Sequence, residues 1–147
     1  MKVAKTVRHK ILNHASIFDE TIRVYNEALS FIIEVIDQEV SDTNAYLTKE
    51  MTNVVERLIH ATKSNPNPKY TEFNQRFYKF PSYFRRAAIA TAFGKVKSYC
   101  SLRKNWETEK QVALENGRKF NKQPPTKQLT HKEFPVLYKG NMFKRTS

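Results

Sequence analysis

The chain has 147 residues, 26 Lys/Arg against 14 Asp/Glu, a formal net charge of +12, and a hydrophobic content of 39% with 12% aromatic residues. That length and apolar content suffice for one core and exclude a compositionally disordered chain. A single cysteine, Cys100, excludes a disulfide framework within the chain and fits a reducing compartment.

The charge is lopsided. Residues 1–60 hold 7 Lys/Arg and 9 Asp/Glu, a net of −2, whereas residues 61–147 hold 19 and 5, a net of +14. Positive charge gathered in one half raises affinity for phosphate through counterion release. Nucleic acid therefore ranks above an anionic membrane or an acidic protein as partner. The basic stretch Met1–Lys10 is not followed by the apolar run of a signal peptide. The longest apolar run, Phe31–Ile36, is broken by Glu34 and is too short to span a bilayer.

Taken in order, Lys2–Leu12 reads as a strand, with Val3, Val7 and Ile11 on one face. Lys2, Arg8 and Lys10 share the other face, which suits either phosphate contact or an edge guarded by charge. A helix follows, capped by Ser16 with Asp19 and Glu20 in its first turn. Its apolar stripe is Phe18, Ile22, Tyr25, Leu29, Ile32 and Ile36. A second helix spans about 48–62, with Met51, Val54, Val55, Leu58 and Ile59 inward.

Pro66 and Pro68 forbid helix and mark a turn. Seven aromatics then crowd 69–84, with Arg76 and Lys79 among them. Rings interleaved with cations can stack on bases while the charges hold phosphates. Phe73, Phe77 and Phe80 are expected in the core; the pattern does not choose between core and stacking for Tyr78 and Tyr83.

The longest helix starts after Pro81, with Ser82 as its cap. Ile89, Phe93, Val96 and Cys100 form its expected buried stripe. At about 100° per residue, Arg86, Lys97 and Lys104 fall within roughly 20° of one another along one edge, over about 27 Å of helix. Arg85 and Arg103 flank the other edge. Asn116-Gly117 is expected to end the helix. Residues 118–132 are basic and proline-bearing and read as a mobile loop. Phe134–Arg145 reads as a strand, a turn at Lys139–Asn141, and the start of a further strand without a partner, which suggests a truncated chain or one completed by another.

Metal-ligand spacing is absent from His9, His14, His60, His131 and Cys100, and no glycine-rich phosphate loop occurs. No cofactor, metal site or catalytic residue is therefore expected.

The segments FPSYFRRAAIATAFGKVKSY and FPVLYKGNMFKR resemble the N-terminal portion of the TnpB (OrfB) transposase family, the insertion-sequence proteins that are RNA-guided DNA nucleases. The resemblance implies an α+β fold, with a helical recognition lobe of three to four helices inserted between strands of a partial β-barrel. Residues 1–14 would form the first barrel strand, 15–117 the lobe, 118–133 a basic loop and 134–147 the return to the barrel. It implies guide RNA and duplex DNA as partners in a prokaryotic cytoplasm, near the nucleoid. The nucleic-acid-binding residues, from the helix edges and the resemblance together, would be Tyr83, Arg85, Arg86, Lys97, Arg103, Lys104, Lys139 and Asn141. The family's RuvC-like nuclease core lies beyond this segment, so the chain is expected to bind without cutting, with that core on a second chain or missing. A small standalone regulator, such as a transposon repressor, is the other reading.

Overall fold

The computed structural model describes residues 2–10, 12–13 and 16–137. Four helices account for its regular structure: α1 (Ser16–Glu39), α2 (Thr48–Ile59), α3 (Glu72–Arg76) and α4 (Ser82–Glu115), with a 3₁₀ turn at Thr43–Ala45.

The described residues are all-helical, which corrects the α+β expectation. They contain no strand, sheet or barrel. Residues 2–10 carry the alternating pattern, yet all of them are exposed and none is paired. Alternation marks two faces of an extended segment, but a sheet also needs a partner edge, and none is present among the described residues. Residues 134–137 are likewise unpaired, and the expected turn and final strand at 138–147 lie outside the described residues.

The core forms where α1, α2 and α4 meet. α1 contributes Tyr25, Ala28, Leu29, Ile32, Val35 and Ile36, α2 contributes Met51, Val55 and Ile59, and α4 contributes Phe84, Ala88, Ile89, Ala92, Phe93 and Val96. Each large side chain so buried stabilises the fold by about 1.5–3 kcal/mol. Phe18, the first residue of the expected α1 stripe, is exposed.

The aromatic segment closes one side of this core. Phe73 and Phe77 are buried, and Phe31, Tyr70 and Phe80 pack on them, with ring centroids 5.0–6.4 Å apart. Tyr70 donates to Glu39 Oε1 at 2.6 Å, and this bond pushes its phenol up to about 12. Tyr78 is exposed beside Lys79, whose φ of 56° turns the chain into α4. Pro81, not Ser82, holds the cap position of α4, and its carbonyl accepts from Arg85 N–H at 2.9 Å.

Two features position the candidate site. Tyr25 meets Phe84 at 5.7 Å, while Lys127 ties Asp37 to the Tyr99 ring, so α1 and α4 run in the same sense. α1 stops at Glu39 but α4 continues from Tyr99 to Glu115, an overhang of about 24 Å at 1.5 Å per residue. Cys100 is therefore exposed, against expectation: the apolar stripe continues past the last helix that could cover it.

α4 ends as expected at Gly117, in a left-handed conformation with φ 66°. Gly117 N–H donates to Leu114 O at 3.1 Å and Arg118 N–H to Ala113 O at 2.8 Å, the paired bonds of a Schellman cap. The chain then returns along α4 as an extended strap, residues 118–137. Trp106 Nε1 donates to Lys122 O at 2.8 Å, and Asn26 holds Glu133 by two backbone bonds of 2.8 and 2.9 Å. What reads in sequence as a mobile loop is tethered to both α4 and α1.

Candidate nucleic-acid interface

The edge of α4 opposite the strap carries the expected cations. Arg86 has a side chain 61% exposed, with Nε 3.6 Å from Glu56 Oε1. Lys97 is half-buried and lies over the Phe93 ring at 5.6 Å. Lys104 is exposed on the overhang. Among the described residues no carboxylate lies within ion-pair distance of Lys97 or Lys104. A solvated cation without a carboxylate is free to neutralise a phosphate.

Arg85 is placed differently. Its side chain is 8% exposed and its Nε lies 3.1 Å from Glu56 Oε1. It ties α4 to α2 and has no open path to a ligand. At 100° per residue Arg85 lies on the Ile89 and Val96 side of the helix, so its burial was visible in the spacing. Tyr83 is partly exposed near the start of α4. Lys139 and Asn141 lie outside the described residues.

Arg103 belongs to a second group, on the overhang. Its Nε is 3.0 Å from Glu107 Oε1 and its Nη1 is 3.5 Å from Tyr99 Oη. The bonds to Tyr99 and Glu107 hold its pKa above the ordinary guanidinium value, so it is a permanent charge. Its guanidinium also sits 5.8 Å from the Trp106 ring centre, and Lys110 Nζ sits 5.0 Å from the same ring. Phe120 of the strap meets that ring edge-on at 5.7 Å. Cations flanking a half-buried indole are a combination that can hold single strands, ring to base and charge to phosphate.

Sequence reasoning passed over Trp106, Lys110 and the strap lysines. The signal was available: Tyr99, Arg103, Trp106 and Lys110 recur at spacings of 4, 3 and 4 on one side of α4. Lys122 and Lys127 of the strap spend their charge on Glu109 and Asp37.

Among the described residues no group of three or more His, Cys, Asp or Glu is placed to hold a metal ion, and no helix is long and apolar enough to cross a membrane. The family model for the Aq_aa04 family matches residues 5–147. No curated protein and no solved structure matches the chain.

Proposed function

The chain belongs to the Aq_aa04 family, and from the surface described above we propose that this member of it binds nucleic acid through the open edge and overhang of α4. The observation that carries this reading is the row Arg86, Lys97 and Lys104, three cations on one edge over about 27 Å, two of them without a carboxylate. The net charge of +14 in residues 61–147 supports it by long-range attraction. The resemblance to the TnpB family narrows the ligand to guide RNA and the duplex beside a target. In that reading the chain holds nucleic acid and a RuvC-like core elsewhere cuts.

The test is anisotropy with labelled duplex and single strands at increasing salt. Binding should weaken steeply with salt; salt-independent binding, or none at low salt, refutes the reading. The purified chain with plasmid, guide RNA and Mg²⁺ should leave the plasmid intact.

One observation favours the standalone regulator: the core is closed within this chain, with Leu29, Ile32, Met51, Val55 and Ile89 all fully buried. Cooperative thermal unfolding of the isolated chain supports that alternative, and aggregation without a cooperative transition counts against it.

A further inference from the structure

The strap, α1 and α4 together border a cavity of about 490 Å³, within the size range of small-ligand sites. Ile33, Val96, Tyr99 and Leu102 give it apolar walls. Its charged groups come in matched pairs. Lys127 is bonded to Asp37, and Lys95 Nζ is 3.0 Å from Glu133 Oε1 and 3.4 Å from Gln128 Oε1. His131 lines it as well, and its Nδ1 is buried without a hydrogen-bond partner, a state that calls for one.

We propose that this cavity receives one unstacked nucleobase of a bound single strand, while the sugar-phosphate chain stays outside, along the overhang of α4. The proposal deepens the nucleic-acid reading and rests on it. Charge matching selects the occupant. A phosphate seeks unmatched cations, and here each lysine already has its carboxylate, although the chain as a whole carries +12. A base is neutral, flat and edged with donors and acceptors. Asp37 and Glu133 can accept from exocyclic amines, and Lys95, Lys127 and the Gln128 amide can donate to ring nitrogens and carbonyls. The Tyr99 ring lines the wall beside the base, with Lys127 Nζ 5.6 Å from its centre. Lys110, further along the overhang, exposed and without a carboxylate partner among the described residues, can take a neighbouring phosphate.

The experiment uses the full chain and 12-nucleotide probes: single-stranded DNA, single-stranded RNA and a blunt DNA duplex. A single strand should bind at least about tenfold more tightly than the duplex, from the capture of one base. Leu102→Trp and Ser98→Trp, both at exposed positions lining the cavity, fill it with an indole. Each should abolish the preference and leave duplex affinity unchanged. A preference that survives both substitutions, or a duplex bound as tightly as the strand, overturns the proposal. Absence of binding to every probe at low salt instead brings down the nucleic-acid reading itself. Should the Trp variants fail to fold, 2-aminopurine placed along the strand reports on the wild type. Emission should change at a bound position, and emission equal to the free strand at every position overturns the proposal.

Discussion

Arg85 Nε and Glu56 Oε1 lie 3.1 Å apart across the junction of α4 and α2, and Arg86 Nε approaches the same oxygen at 3.6 Å. Neighbouring arginines thus share one carboxylate but have opposite surroundings, one enclosed and one open. Removing one partner of a buried pair leaves the other charge unmatched in a poorly solvated site. Glu56→Ala is expected to cost about 3 kcal/mol, read as a shift in the urea midpoint. Arg85→Ala should also destabilise while leaving nucleic-acid affinity unaltered below its melting temperature.

The open edge makes the complementary prediction. Arg86→Glu combined with Lys97→Glu should weaken binding sharply at low salt and flatten the slope of log K against log salt by about two, one for each lost phosphate contact. Anisotropy titrations at four salt concentrations measure it. Unchanged affinity would reduce this edge to an ordinary solvated surface.

Stability should fall on mild acidification. Burial pushes His60 below the ordinary imidazole value, and the Arg85 charge adds to this while Glu56 opposes it. His131 is lowered by burial and by Lys95, with Glu133 opposing. Both histidines bind protons more readily once unfolded, so the stability they favour is present above about pH 6.5 and is lost as pH drops through that range. Urea midpoints at pH 7.5 and 5.5 should differ, and His60→Gln with His131→Gln should narrow the difference. Glu20, bonded to Arg23, and Glu39, bonded to Lys69, are held below the ordinary carboxylate value. Their loss comes in a separate, more acidic window.

The strap depends on Asn26, which donates to Glu133 O and accepts from Glu133 N–H. Asn26→Ala should free this end of it. Trypsin should then cut faster after Lys122, Lys127 and Lys132, with the helical core surviving as a resistant fragment. Equal cleavage rates in wild type and variant would show that the other tethers suffice.

Gly117→Ala should destabilise by about 1 kcal/mol, because a Cβ at φ 66° strains the backbone. Nothing lies within 4 Å of the position an added Cβ would take, so the effect belongs to the backbone alone and thermal denaturation reads it directly.

The helices were legible because their pattern is local. Tyr25, Leu29, Ile32 and Ile36 mark the buried face of α1 by spacing alone, as Met51, Val55 and Ile59 do for α2. How far a stripe stays covered is not local. It depends on where the neighbouring helix ends, and Cys100 lies beyond the reach of α1. The strand expectation failed for a related reason: the valines of residues 2–10 specify two faces but not a pairing edge. Of the candidate site, the row Arg86, Lys97 and Lys104 follows from helix geometry. The strap contacts of Trp106 do not, because they join residues 16 apart through an extended segment with no periodic signature.

The bonds between Asn26 and Glu133 join positions 107 residues apart. Closing so long a loop is slow compared with forming the aromatic junction and the helices, whose contacts are nearer in sequence. On a ribosome, α1, α2 and the start of α4 emerge before the strap does. The nascent chain therefore passes through a stage in which the core stands but the cavity lacks its third wall. On the proposed reading, base capture is acquired last, after the cationic edge is already in place.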